Sequence, residues 1–166
     1  YGNVLGSSGS VIPKFIEQIN NNKKITITDP TMTRFSITMN QALDFILKAT
    51  QKGHGAEVFI PKLKAYSLQQ IHNILSNLTN AKDHEIIGMR TGEKQHELLI
   101  NSDEMRDAWS YDNMFVLLND LHESENLEEV YPGIKKIKDL DVYSSAKTQQ
   151  LSTEEITENI KDLQLL

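Results

Sequence analysis

Apolar residues in this chain recur at two periods, and the alternation between them predicts the order of its elements. Ile12, Phe15, Ile16 and Ile19 follow the i, i+3, i+4, i+7 rule of a helix buried on one side. Ser10 stands where its N-cap belongs, Pro13 is tolerated in the first turn, and the Asn20-Asn21-Asn22 run ends it. Ile25-Thr26-Ile27-Thr28 then alternates with period two, as a half-buried strand does, and Asp29-Pro30 closes it. After a loop carrying Arg34, Thr38 with Gln41 forms a capping box. It opens a helix with Leu43, Phe45, Ile46 and Ala49 on its inner side, which stops at Gly53. Glu57-Val58-Phe59-Ile60 is a strand ended by Pro61. Ser67 with Gln70 opens a helix marked by Leu68, Ile71, Leu75 and Leu78, and Glu85-Ile86-Ile87-Gly88 is another short strand.

Beyond Arg90 the pattern predicts a short helix through Glu97 to Ile100 and a strand at Met114–Leu118. From Asn119 to Lys138 apolar periodicity weakens and charge rises, which predicts loops or poor order. A last helix starts at Ser152, with Glu155 completing its capping box and Ile156, Ile160 and Leu163 as its apolar stripe. Helices and strands alternate, so the fold class is α/β.

Composition narrows the picture. At 166 residues, 39% hydrophobic and 24% charged, the chain suits one core and is short for two domains. No run approaches the roughly 18 apolar residues of a membrane span. Tyr1-Gly2-Asn3-Val4-Leu5-Gly6 reads as the end of a buried strand entering a Gly/Ser loop, where a natural N-terminus seldom begins. The absence of cysteine excludes disulfides and thiolate chemistry and is compatible with the cytoplasmic location expected here. A net charge of −6 argues against a nucleic-acid-binding face.

Only Arg34, Arg90 and Arg106 are arginines among 17 basic residues, so a planar, bidentate donor is scarce and its positions matter. Arg34 and Arg90 both follow strands. With the Gly6-Ser7-Ser8-Gly9 loop before a helix start, they would suit a diphosphate; each alone also fits a surface ion pair, and the loop alone a plain turn. Glu93, His96 and Glu97 could share a helix face, yet without a second such cluster they do not argue for a metal. No dinucleotide-binding glycine fingerprint follows a strand, and the Tyr143/Lys147 spacing lies too near the C-terminus to be a catalytic pair.

Three longer blocks carry a resemblance: Tyr1-Gly2-Asn3-Val4 with Gly6 to Pro13, Ile25 to Phe35, and Ile86-Ile87-Gly88-Met89-Arg90-Thr91-Gly92-Glu93-Lys94-Gln95-His96-Glu97. With Glu57-Val58-Phe59-Ile60-Pro61-Lys62 they resemble the CapD-like polysaccharide biosynthesis family of UDP-N-acetylglucosamine 4,6-dehydratases, extended short-chain dehydrogenases/reductases. The resemblance implies the C-terminal, substrate-binding part of a Rossmann-type parent, with the N-terminal Rossmann half missing. Residues 1–100 would be the nucleotide-sugar-binding region and residues 101–166 a C-terminal extension with its terminal helix.

For individual residues the resemblance implies that Asn3 approaches the phosphates, Ser10 and Val11 border the nucleotide, and Thr26 lies against uracil. Arg34 and Arg90 would clamp the diphosphate, and Glu93 would accept from ribose hydroxyls. Ser8 stands where the family carries Arg, one charge fewer. In the resembled enzyme NAD(P) oxidises the sugar at carbon 4, water leaves across carbons 5 and 6, and hydride returns at carbon 6. The expectation is therefore NAD(P) in the full-length parent and none on this chain alone. The expected partners are a UDP-sugar, the Rossmann half and, for the full-length protein, further copies of itself. A stand-alone, non-catalytic nucleotide-sugar-binding or assembly module is the alternative.

Overall fold

The computed structural model describes residues 2–81, 83–118 and 126–164. Helix α1 (Val11–Asn20) leads into β1 (Ile25–Ile27) and β2 (Thr33–Phe35), followed by α2 (Met39–Lys52), β3 (Val58–Pro61), β4 (Ala65–Ser67) and α3 (Leu68–Thr79). Then come β5 (His84–Ile86), β6 (Leu98–Ile100), a 3-10 turn at Glu104–Asp107, β7 (Ala108–Tyr111) and β8 (Met114–Leu117). The chain finishes with α4 (Leu127–Val130), β9 (Lys135–Lys136), β10 (Tyr143–Ser144) and α5 (Thr153–Asp162). Residues 119–125 of the stretch expected as loops lie outside the described residues.

The strands form small sheets. β1 runs parallel to β5, β2 antiparallel to β4, and β10 antiparallel to β6. A four-stranded sheet has the order β3-β8-β7-β9. One apolar cluster joins α1, α3 and α5 over β1 through Ile12, Phe15, Ile25, Ile27, Ile71, Leu75, Ile156 and Ile160. Each such side chain contributes about 1.5–3 kcal/mol on burial. A second cluster holds Phe35, Ile60, Ile100, Phe115 and Tyr143, so residues on both sides of position 100 share it. A third gathers Tyr111, Met114, Val116, Tyr131 and Ile134.

Three helices start on complete capping boxes: Thr38 with Gln41, Ser67 with Gln70, and Ser152 with Glu155. In each, the N3 amide donates to the cap oxygen. Helix α1 departs from this rule, since Ser10 makes no side-chain capping bond. The residue three positions on is Pro13, which has no N–H to give.

Several expectations are corrected. Arg34 sits on β2 rather than in a loop, paired in register with Tyr66 of β4. The expected helix to Ile100 is instead an irregular turn followed by β6, whose partner β10 lies more than forty residues on, outside any local window. In α2 the stripe expected inside is split: Phe45 and Ala49 are half-buried, Phe45 against the third cluster, but Leu43 is 52% exposed and Ile46 43%, as is Leu47 at 61%, while Ala42 is buried. This helix is apolar on two sides, and periodicity identifies a stripe without saying which body it meets.

Candidate functional site

A cleft of about 260 Å³ opens between the start of α1, strands β1, β2 and β4, and the 90–93 turn. Asn3, Ser10, Val11, Thr26, Arg34, Arg90 and Glu93 all line it, so the fold brings together every residue singled out for ligand contact. Lys14, Met32 and Tyr66 line it too and were not anticipated. Lys14 had a signal in the sequence, three positions beyond Val11 and hence on the same side of α1. Tyr66 had none, because only the β2–β4 pairing sets it opposite Arg34. Ser8 is exposed and does not line the cleft. Two other hollows, of about 430 and 470 Å³, share the Lys62–Lys64 segment and contain none of the seven.

Each wall is held by identifiable bonds. On β1, the Thr26 amide donates to Gln18 Oε1 at 3.1 Å and its hydroxyl accepts from Gln18 Nε2 at 2.8 Å, fixing β1 to α1. The 90–93 turn closes on itself: Glu93 Oε2 accepts from the Arg90 amide at 2.9 Å, and the Glu93 amide donates to the Arg90 carbonyl at 3.0 Å. Gly92 has φ +83 there, a left-handed conformation that glycine adopts freely.

Arg34 is the most constrained of the expected ligands. Its Nη1 donates to the carbonyls of Thr33 at 2.7 Å and Gln95 at 3.1 Å, and its Nε lies 4.0 Å from a Glu97 oxygen. The other Glu97 oxygen accepts from the Phe35 amide at 2.8 Å. His96 Nδ1 meets Thr33 Oγ1 at 2.8 Å, and Ser145 Oγ lies 2.7 Å from the same hydroxyl. This network pulls residues 95–97 onto β2, so Glu93, His96 and Glu97 serve different partners instead of sharing a helix face. Among the described residues no group of three or more His, Asp or Glu is placed to hold a metal ion. Burial pushes the Tyr66 hydroxyl well above its ordinary pKa, with Glu97 adding and Arg34 opposing, so Tyr66 faces the cleft uncharged.

At the start of α1, the Ser10 hydroxyl oxygen is buried and has no hydrogen-bond partner among the described residues. The first-turn amides of a helix also lack intrahelical acceptors and carry the positive end of its dipole. The space beside Gly6, whose φ is +75, is filled by the Leu163 side chain, so this turn serves packing. Tyr143 is likewise structural: its hydroxyl accepts from the Leu63 amide at 2.6 Å, and its ring packs against Phe35 and Phe115.

Residues 1–119 match the family described as polysaccharide biosynthesis protein. The chain belongs to the polysaccharide biosynthesis protein family. Relatives within reach of this family member include the protein named UDP-glucose 4-epimerase from Rickettsia bellii (strain OSU 85-389), 38% identical over 98% of this chain and 48% of the relative. The Rickettsia massiliae (strain Mtu5) protein of the same name is 36% identical over 95% of this chain and 47% of its own length. The solved structure of Pen from Bacillus thuringiensis superposes with a TM-score of 0.83 at 35% identity, covering 99% of this chain and 48% of that one. The chain thus spans about half the length of the curated relatives it matches. Its α/β architecture is that of the C-terminal part of an extended short-chain dehydrogenase/reductase, as expected for a polysaccharide biosynthesis family protein.

Proposed function

We propose that this chain is the substrate-binding part of a nucleotide-sugar-modifying enzyme and that its cleft takes the diphosphate of a UDP-sugar. One observation carries the reading: the seven residues expected at the ligand converge on one cleft, which holds Lys14, Arg34 and Arg90 against a single lining carboxylate, Glu93. The unpartnered Ser10 oxygen beside a helix start adds neutral donors to that charge. In this arrangement Thr26 borders the base and Glu93 receives ribose hydroxyls.

The reaction we propose is 4,6-dehydration of a UDP-N-acetylhexosamine, in surface glycan synthesis. A second reading, 4-epimerisation, draws on the name carried by the Rickettsia relatives. Either reaction takes its redox chemistry from a nicotinamide cofactor, and what this chain's residues contribute is binding and orientation. In a parent-length protein, mass spectrometry of the product separates the two, because dehydration removes one water and epimerisation leaves the mass unchanged.

Binding is tested in the parent-length protein by calorimetry with UDP and with uridine. UDP binds more tightly than uridine, and Arg90→Ala weakens UDP about tenfold by removing a charge-assisted contact. Equal affinity for UDP and uridine, or an Arg90→Ala protein that binds UDP as the wild type does, would overturn the reading.

A further inference from the structure

The three cations of the cleft are not equivalent. Arg34 has spent most of its donors on the protein: both Nη1 bonds go to carbonyls, Nη2 reaches the Met32 sulfur at 3.8 Å, and Glu97 offsets its charge from 4.0 Å. Lys14, in contrast, makes no side-chain hydrogen bond or ion pair among the described residues. Its position is electrostatically unfavourable. It lies in the first turn and a half of α1, near the positive end of the helix dipole, and no acidic residue occupies that first turn to compensate. Beside it Ser10 leaves a buried oxygen without a partner, because Pro13 cannot donate to it.

We infer that Lys14 is a phosphate-binding residue of this cleft, its ammonium together with the Ser10 hydroxyl engaging the anionic part of the nucleotide, while Arg34 positions residues 95–97. This rests on the diphosphate reading above. The chemistry is consistent: a lysine on a flexible stem is a mobile point charge, able to follow a phosphate that a guanidinium already bound to two carbonyls cannot reach. It also gives the unfavourable helix-start cation a counter-ion and the Ser10 oxygen a partner.

The test compares wild type, Lys14→Gln, Lys14→Arg and Arg90→Ala by calorimetry with UDP and uridine at low and moderate salt. Lys14→Gln loses about tenfold in UDP affinity, leaves uridine affinity unchanged and reduces the salt dependence of UDP binding; Lys14→Arg restores most of the loss. Without ligand, Lys14→Gln melts no lower than wild type, since it removes a cation from the positive end of a helix; this separates a binding defect from a folding one. If Arg90→Ala weakens UDP but Lys14→Gln binds it as the wild type does, the Lys14 assignment is overturned and the diphosphate reading survives. If wild type itself does not prefer UDP to uridine, the diphosphate reading fails and the assignment falls with it.

Discussion

Glu57 shows how a single carboxylate can tie distant segments together. It accepts from the amides of His54 and Gly55, both at 2.8 Å, and from the Tyr131 hydroxyl. Burial works against its charge, but the Tyr131 bond and the two amides prevail and hold its pKa at about 2, below the ordinary 4.5. A depressed carboxylate stabilises the fold fully above pH 4.5 and loses that contribution as pH falls toward 2. Glu57→Gln should therefore lower stability at neutral pH by about 1 kcal/mol, the effect of a carboxylate's hydrogen bonds reduced by solvent screening. In urea titrations its deficit against wild type should shrink on acidification through that window. His72 works in the opposite sense. Burial, with a further push from the His84 ring 4.4 Å away and a partial counterweight from Asn73, lowers its pKa from 6.5. Stability from this site is complete above pH 6.5 and declines below it, as the unfolded chain takes up the proton more readily. Replacing His84 with Gln should make the decline below pH 6.5 shallower in urea-midpoint measurements.

Among the elements, α5 is the one whose start can be tested most simply. Its Ser152 accepts from the Glu155 amide at 3.2 Å, and Glu155 returns a bond to the Ser152 amide at 2.9 Å. Ser152→Ala should lower stability by about 1 kcal/mol, read from chemical denaturation. Such capping boxes were legible from the sequence because both partners lie within four residues. Long-range pairings were not: β6 finds β10, and β7 joins the sheet through β8, without any pattern in Ala108-Trp109-Ser110-Tyr111 that announces a strand. The site divides the same way. Its seven expected residues came from motif blocks that resemble a family, whereas Tyr66 enters the cleft through the β2–β4 ladder. Arg34 lines the cleft, but its use of backbone carbonyls depends on Gln95, which belongs to the turn that stands where a helix is expected.

At the scale of the molecule, the outward face of α2 presents four large apolar side chains, Met39, Leu43, Ile46 and Leu47, to solvent. Contiguous apolar area of this kind promotes association. The isolated chain should sediment as larger than a monomer at micromolar concentration, and Leu43→Glu with Leu47→Glu should shift it toward monomer in analytical ultracentrifugation.

Leu163, just beyond the last helix, packs against Gly6, near the first described residues. That contact ties the loop before α1 to the end of α5, and it falls where the backbone is left-handed, at φ +75. A methyl group at position 6 would collide with Leu163 and strain the backbone at once, so Gly6→Ala should unlatch the end of α5 from the loop that opens the cleft.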